Sequence, residues 1–177
     1  MRLSRRQWIG MAAAGMGAAA AGVVINRVWM QGKEGGEVPL QEVSLPDLDG
    51  KPQSLGQWRN KLLLLNFWAT WCEPCREEIP ALVMAQKKHG KNVQIVGISV
   101  DSADKVREFI PQFQINYPLL VADLGTIQWM KGLGNQSGAL PYSVFITGAG
   151  KVVHQHLGAL TFAQLEAAFA KWLKPGG

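Results

Sequence analysis

Beyond about residue 38 the apolar positions fall into strand-length and helix-length runs, and their order predicts the architecture. Lys61 to Phe67 (KLLLLNF) is almost unbroken apolar sequence, as a strand buried on both faces requires. Val93 to Val100 (VQIVGISV) is a second such strand, and Leu119 to Ala122 a short third. Helices are predicted between and after them. One runs from Cys72 to about His89, with Pro80 as an interior kink and Gly90 as its end. The next starts at Asp101 or Ser102 and is bent or stopped by Pro111. A short helix spans Gly125 to Lys131. Tyr142 to Thr147 and Lys151 to His156 form two strands joined by Gly148, Ala149 and Gly150, a hairpin signal. Thr161 and Gln164 make a capping box that opens a last helix to about Leu173. Ahead of all these, the Asp49-Gly50 turn joins two short strands, and Ser54 caps a helical turn over Leu55 to Arg59. Strand–helix alternation followed by a hairpin implies an α/β domain, a mixed central sheet with helices on both faces.

The first thirty residues follow a different pattern. Trp8 to Ile25 is an uncharged, Ala- and Gly-rich run without a polar face. As a helix it would reach roughly 27 Å, close to the hydrocarbon thickness of a bilayer. A basic start followed by such a run reads as an export signal. Ser4 to Ile9 (SRRQWI) resembles a twin-arginine signal and departs from it at Gly10, where that pattern often has Lys. Ala19, Ala20 and Ala21 before Gly22 offer a cleavage site. The length fits a span and the composition fits a signal, so cleavage and retention as an N-terminal membrane anchor both stay open. In either case the arginines stay inside, and the chain beyond about residue 30 ends outside the cytoplasm, in the periplasm or on the outer face of the membrane. Residues 31–37 (QGKEGGE) read as a linker, and residues 38–177 as one folded domain.

Splitting the charge removes one function class. The net charge of +5 suggests nucleic acid, but residues 1–30 supply four arginines and no acid. Residues 31–177 hold 14 Lys and Arg against 13 Asp and Glu, with no basic stripe interleaved with aromatics, so no nucleic-acid partner is expected. An apolar fraction of 47% excludes wholesale disorder. The chain has two cysteines, Cys72 and Cys75, which excludes a disulfide-stapled scaffold and a multi-cysteine zinc module.

The cysteines carry the chemistry. Trp68 to Cys75 (WATWCEPC) lies where the Leu62–Phe67 strand hands over to a helix. A C-x-x-C at a helix start places the first sulfur beside unpaired N–H groups and the positive end of the helix dipole, which favour the reactive thiolate. Pro74 falls in the first turn, where a missing N–H costs little. Glu73 opposes the dipole with its charge. Trp71, just before the first cysteine, is read as shielding the site and contacting partners, and Trp68 as packing.

WCEPC after a strand, with Leu140-Pro141-Tyr142 before another, resembles the thioredoxin fold. Asn66 to Cys72, Glu78-Ile79-Pro80, Pro141 and Gly150 to Val153 resemble, more narrowly, the TlpA/ResA/CcmG branch of exported thiol–disulfide oxidoreductases. The likeness covers roughly residues 40–175 and includes an N-terminal strand extension. It implies that Cys72 is the exposed nucleophile and Cys75 the buried resolving thiol, a redox-active pair that needs no cofactor. It implies a cis-proline at Pro141, which leaves the Leu140 backbone to pair with an extended client segment. Thioredoxins place a buried Asp where this chain has Asn66, which cannot exchange a proton. The branch has a functional Glu at the place of Glu78, one helical turn after Cys75, so Glu78 is the expected acid/base for Cys75. The clients implied are protein disulfides, reduced for cytochrome c maturation or copper-site assembly, with electrons from a membrane partner.

A copper metallochaperone would hold the metal through Cys72 and Cys75, with a histidine or methionine, and would not turn over. Peroxide reduction lacks its P-x-x-x-[ST]-x-x-C pattern. His154 and His156 share one strand face, which a solvated surface explains more simply than a metal pair.

Overall fold

The structure is a computed structural model that describes residues 36–122 and 124–173. The predicted export signal or anchor, residues 1–30, and most of the linker lie outside the described residues. Residues 36 and 37, read from sequence as the end of the linker, already pair with the domain. Glu37 bridges Lys151, and the Gly36 carbonyl accepts the Val152 N–H at 3.0 Å.

Strands β1 (Ser44–Pro46) and β2 (Pro52–Ser54) form the predicted antiparallel pair, closed by Asp47, whose Oδ1 accepts the N–H groups of Asp49 and Lys51 at 2.9 Å each. Ser54 then caps a 3-10 turn over Leu55–Trp58. The remaining elements are β3 (Leu62–Trp68), α1 (Glu73–His89), β4 (Val93–Ser99), α2 (Ala103–Phe109), β5 (Leu119–Val121), α3 (Leu124–Gly132), β6 (Tyr142–Ile146), β7 (Val152–Leu157) and α4 (Phe162–Trp172). Pro111 acts as predicted: α2 ends at Phe109 and a 3-10 turn over Ile110–Gln112 replaces it.

The five-stranded sheet runs β5-β4-β3-β6-β7, with β3 parallel to β4 and antiparallel to β6. Alternation along β3 divides the core. Leu62, Leu64 and Trp68 face a cluster with Ile79, Leu82 and Ala85 of α1, Phe109 of α2, and Leu165 and Phe169 of α4. Leu63, Leu65 and Phe67 face Leu45, Leu55, Trp129, Met130 and Leu133 on the other side. Both faces of β3 are thus covered, which is why its sequence is almost wholly apolar. The exception is Asn66, buried on the α1 side.

The turn between β6 and β7 requires a glycine. Gly150 has φ +90°, and a Cβ there would fall 2.3 Å from the Val38 carbonyl oxygen. Gly90 ends α1 in an ordinary right-handed conformation, φ −56°, without the left-handed cap its position suggested. The capping box of α4 is complete, since Thr161 Oγ1 accepts the Gln164 N–H and Gln164 Oε1 accepts the Thr161 N–H at 2.8 Å. Thr161→Ala is expected to cost about 1 kcal/mol, the usual value of an N-cap. Urea unfolding would show it as a lower midpoint at unchanged slope.

Candidate active site

The site is built where central strand β3 ends. Ala69, Thr70 and Trp71 carry the chain from Trp68 to Cys72, which is the N-cap of α1 with no side-chain hydrogen bond closing the cap. The Cys72 sulfur therefore stands at the positive end of a 17-residue helix. Cys72 and Cys75 are joined as a disulfide, with Cα atoms 5.3 Å apart. Pro74 lies in the first turn, where no intrahelical donor is lost, and α1 runs on through Pro80.

In the disulfide Cys75 is fully buried and Cys72 is 6% exposed. Cys72 belongs to the same core cluster as Trp68, Ala69 and Cys75. Trp71, the residue before Cys72, is 68% exposed, whereas Trp68 is buried with its ring 5.4 Å from Phe109.

A buried carboxylate holds the loop. Asp101, after β4, accepts the Thr70 N–H through Oδ2 at 2.7 Å. The sequence offers Asp101 as a candidate cap for α2. That position goes to Ser102, without a side-chain bond, and Asp101 turns to the cysteine loop instead.

Glu78 is on α1, three residues after Cys75, and is buried with it on the sheet side. Its Oε1 accepts from Asn66 Nδ2 at 2.7 Å and its Oε2 from the Leu160 N–H at 2.9 Å. Asn66 also donates to Ser143 Oγ at 3.1 Å, across the β3–β6 register that pairs these two residues. Burial pushes the Glu78 carboxyl up to about 7, against the lowering effect of these two hydrogen bonds. Tyr117, buried in the same cluster, is pushed up by its own burial and then by the Glu78 charge. Asn66 therefore fixes the position of the Glu78 carboxyl through its side-chain amide. Ser143 and Leu160 were missed in the sequence. Ser143 could have been found as the cross-strand neighbour of Asn66. Leu160 contributes a backbone N–H, which no side-chain pattern signals.

Pairing of Phe67 with Tyr142 sets the start of β6 beside the end of β3, so Leu140 and Pro141 come to the same end of the sheet as Cys72. Their peptide bond is cis. The Leu140 N–H and C=O make no hydrogen bond within the described residues, while the Pro141 carbonyl accepts the Gly158 N–H at 2.9 Å.

His154 and His156 do not join this site. They line a groove of about 280 Å³ between β7 and α4 whose lining includes neither cysteine. Desolvation, then the charges of His156 and Lys171, hold the His154 pKa down. Among the described residues no group of three or more His, Cys, Asp or Glu side chains is placed to hold a metal ion, and no helix is long and apolar enough to cross a membrane.

Comparison with known proteins gives consistent likenesses. The Redoxin family matches residues 33–169. The thiol–disulfide oxidoreductase ResA of Bacillus anthracis is 37% identical over 128 residues, 71% of this chain and 71% of that one. Among solved structures, a thioredoxin-family thiol:disulfide interchange protein from Chlorobium tepidum TLS is 30% identical with a TM-score of 0.69, covering 78% of this chain and 98% of its own. A putative thiol:disulfide interchange protein DsbE from Chlorobium tepidum is 27% identical with a TM-score of 0.66, covering 80% and 96%.

Proposed function

Because this chain belongs to the Redoxin family, has a thioredoxin-like fold and is a thiol–disulfide oxidoreductase of the ResA and DsbE type, we propose that it reduces protein disulfides outside the cytoplasm. The observation that carries the reading is the Cys72–Cys75 disulfide at the start of α1, with Glu78 buried one turn behind it. In the reduced chain, the Cys72 thiolate attacks a client disulfide, forms a mixed disulfide and releases one client thiolate. Cys75 then passes its proton to the Glu78 carboxylate and attacks the Cys72 sulfur. The second client thiolate leaves, and the chain holds the Cys72–Cys75 disulfide. Two electrons have moved to the client, and two protons complete its thiols.

The open Leu140 N–H and C=O pair with an extended client segment at Pro141, and the exposed indole of Trp71 adds apolar contact beside Cys72. Residues 1–30 support export or anchoring, and a membrane donor returns the electrons. Cytochrome c maturation or copper-site assembly is the process served.

Two measurements on the full chain test this. With dithiothreitol as reductant, catalytic reduction of insulin disulfides is expected. Titration of the reduced chain with Cu(I) separates the copper-carrier reading: a tight one-to-one complex without turnover would replace this proposal.

A further inference from the structure

The segment that reaches Leu140 is framed by side chains that the redox chemistry does not use. Helix α3 ends at Gly132, and Gly134 turns the chain with φ +106°. Asn135 follows, buried at 3% exposure. Its Nδ2 donates to the Ala139 carbonyl at 2.7 Å, and its Oδ1 accepts from Ser137 Oγ at 2.9 Å. Its own carbonyl accepts the Gly138 N–H at 3.2 Å, and Ser137 Oγ accepts the Ala139 N–H at 3.3 Å. The loop is thus folded on the Asn135 side chain up to the residue before Leu140. Beyond Pro141, Tyr142 donates its hydroxyl to the Leu133 carbonyl at 2.5 Å, and Gln155 Nε2 donates to the same oxygen at 2.5 Å. Leu140 and Pro141 are therefore tied on both sides to the exit of α3.

Ala139 is an exposed residue, and the Asn135–Ala139 bond ties its carbonyl to the buried Asn135 side chain. What the bond fixes is the direction in which the chain enters Leu140. We propose that Asn135 is a positioning residue for client recognition: it holds the Ala139–Leu140 segment in the place where a client backbone pairs with it. The inference rests on the reading of Leu140 and Pro141 as the client-binding edge. Preorganising such an edge lowers the cost of binding and leaves the sulfur chemistry alone.

The test compares two disulfides. Insulin presents a backbone to pair with the edge; bis(2-hydroxyethyl) disulfide has none. Asn135→Ala is expected to raise the KM for insulin roughly three- to tenfold, the range that losing one hydrogen bond of ordinary net strength corresponds to. Its kcat for insulin and its rate with the small disulfide should stay within about twofold of the unaltered chain. Ser137→Ala removes the hydroxyl that donates to Asn135 Oδ1 and accepts the Ala139 N–H, from an exposed residue, and is expected to shift KM in the same direction by a smaller factor. It decides the matter if Asn135→Ala fails to fold. An unchanged insulin KM in the folded variants overturns the inference while leaving the proposed function standing. Equal losses on both disulfides assign Asn135 to the sulfur chemistry and also overturn it. An unaltered chain that reduces the small disulfide but not insulin overturns the client reading itself, and this inference with it.

Discussion

A Cys75→Ser chain, reduced and mixed with a disulfide-bearing client, is expected to accumulate as a mixed disulfide through Cys72, with insulin turnover falling to background. Resolution in the unaltered chain is intramolecular, from a thiol three residues away on the same first turns of α1. Well-oriented intramolecular reactions reach effective molarities of about 10⁵ M or more, which millimolar external thiol cannot replace. The adduct should therefore persist on a non-reducing gel, disappear with excess dithiothreitol, and identify the client by mass spectrometry. Cys72→Ser should give neither turnover nor adduct, because the remaining Cys75 is fully buried. The pair of variants tests which sulfur attacks the client and which resolves the adduct. An adduct through Cys75 in the Cys72→Ser chain, or none in a Cys75→Ser chain whose Cys72 still reacts with iodoacetamide, would reverse or remove the assigned roles.

Why the pair and the sheet could be read from the sequence, and the surroundings of the pair could not, follows from what each depends on. β3 and β4 depend on burial of both faces, which forces near-continuous apolar runs at Leu62–Trp68 and Val93–Ser99. The capping box at Thr161 and the Asp49-Gly50 turn are local chemistry, complete within a few residues. Glu78 lay one turn from Cys75, and the family likeness singled it out. Its partners come from elsewhere: Asn66 from the middle of β3, Leu160 from the loop before α4. That loop is in place because α4 packs on α1, where Lys88 and His89 meet Glu166 at 2.5 Å each. Such contacts are products of tertiary packing, and a linear pattern does not register them. Asp101 shows the same limit. After a strand it reads as a helix cap, and only the folded chain brings Thr70 within its reach. The near burial of Cys72 belongs here too, since it arises from neighbours assembled around the disulfide.

Glu78→Gln separates a proton carrier from a structural acceptor, and two pH profiles report on it. The carboxyl is raised from 4.5 to about 7, chiefly by burial, so the folded chain binds this proton more tightly than the unfolded one. Stability from this group is fully present below about pH 4.5 and is lost as pH rises through about 7. Over that window the unaltered oxidised chain should lose on the order of 3 kcal/mol from this group. The Gln chain should lack that slope. Gln presents an amide nitrogen where one carboxylate oxygen accepted, so one of the bonds from Asn66 or Leu160 is lost. Leaving that buried donor without its acceptor costs about 1–3 kcal/mol, an offset that a slope does not imitate. The kinetic profile is the sharper one. Proton transfer from Cys75 requires the ionised carboxylate, so decay of a Cys72 mixed disulfide should speed up as pH rises and level off above about 7. In Glu78→Gln the inflection should vanish and the plateau rate fall roughly a hundredfold, the lower end of what a positioned acid/base supplies. A Gln chain that keeps the inflection near neutral pH, at whatever rate, would mean that another group takes the proton and that Glu78 serves only to tie α1 to β3 and to the start of α4.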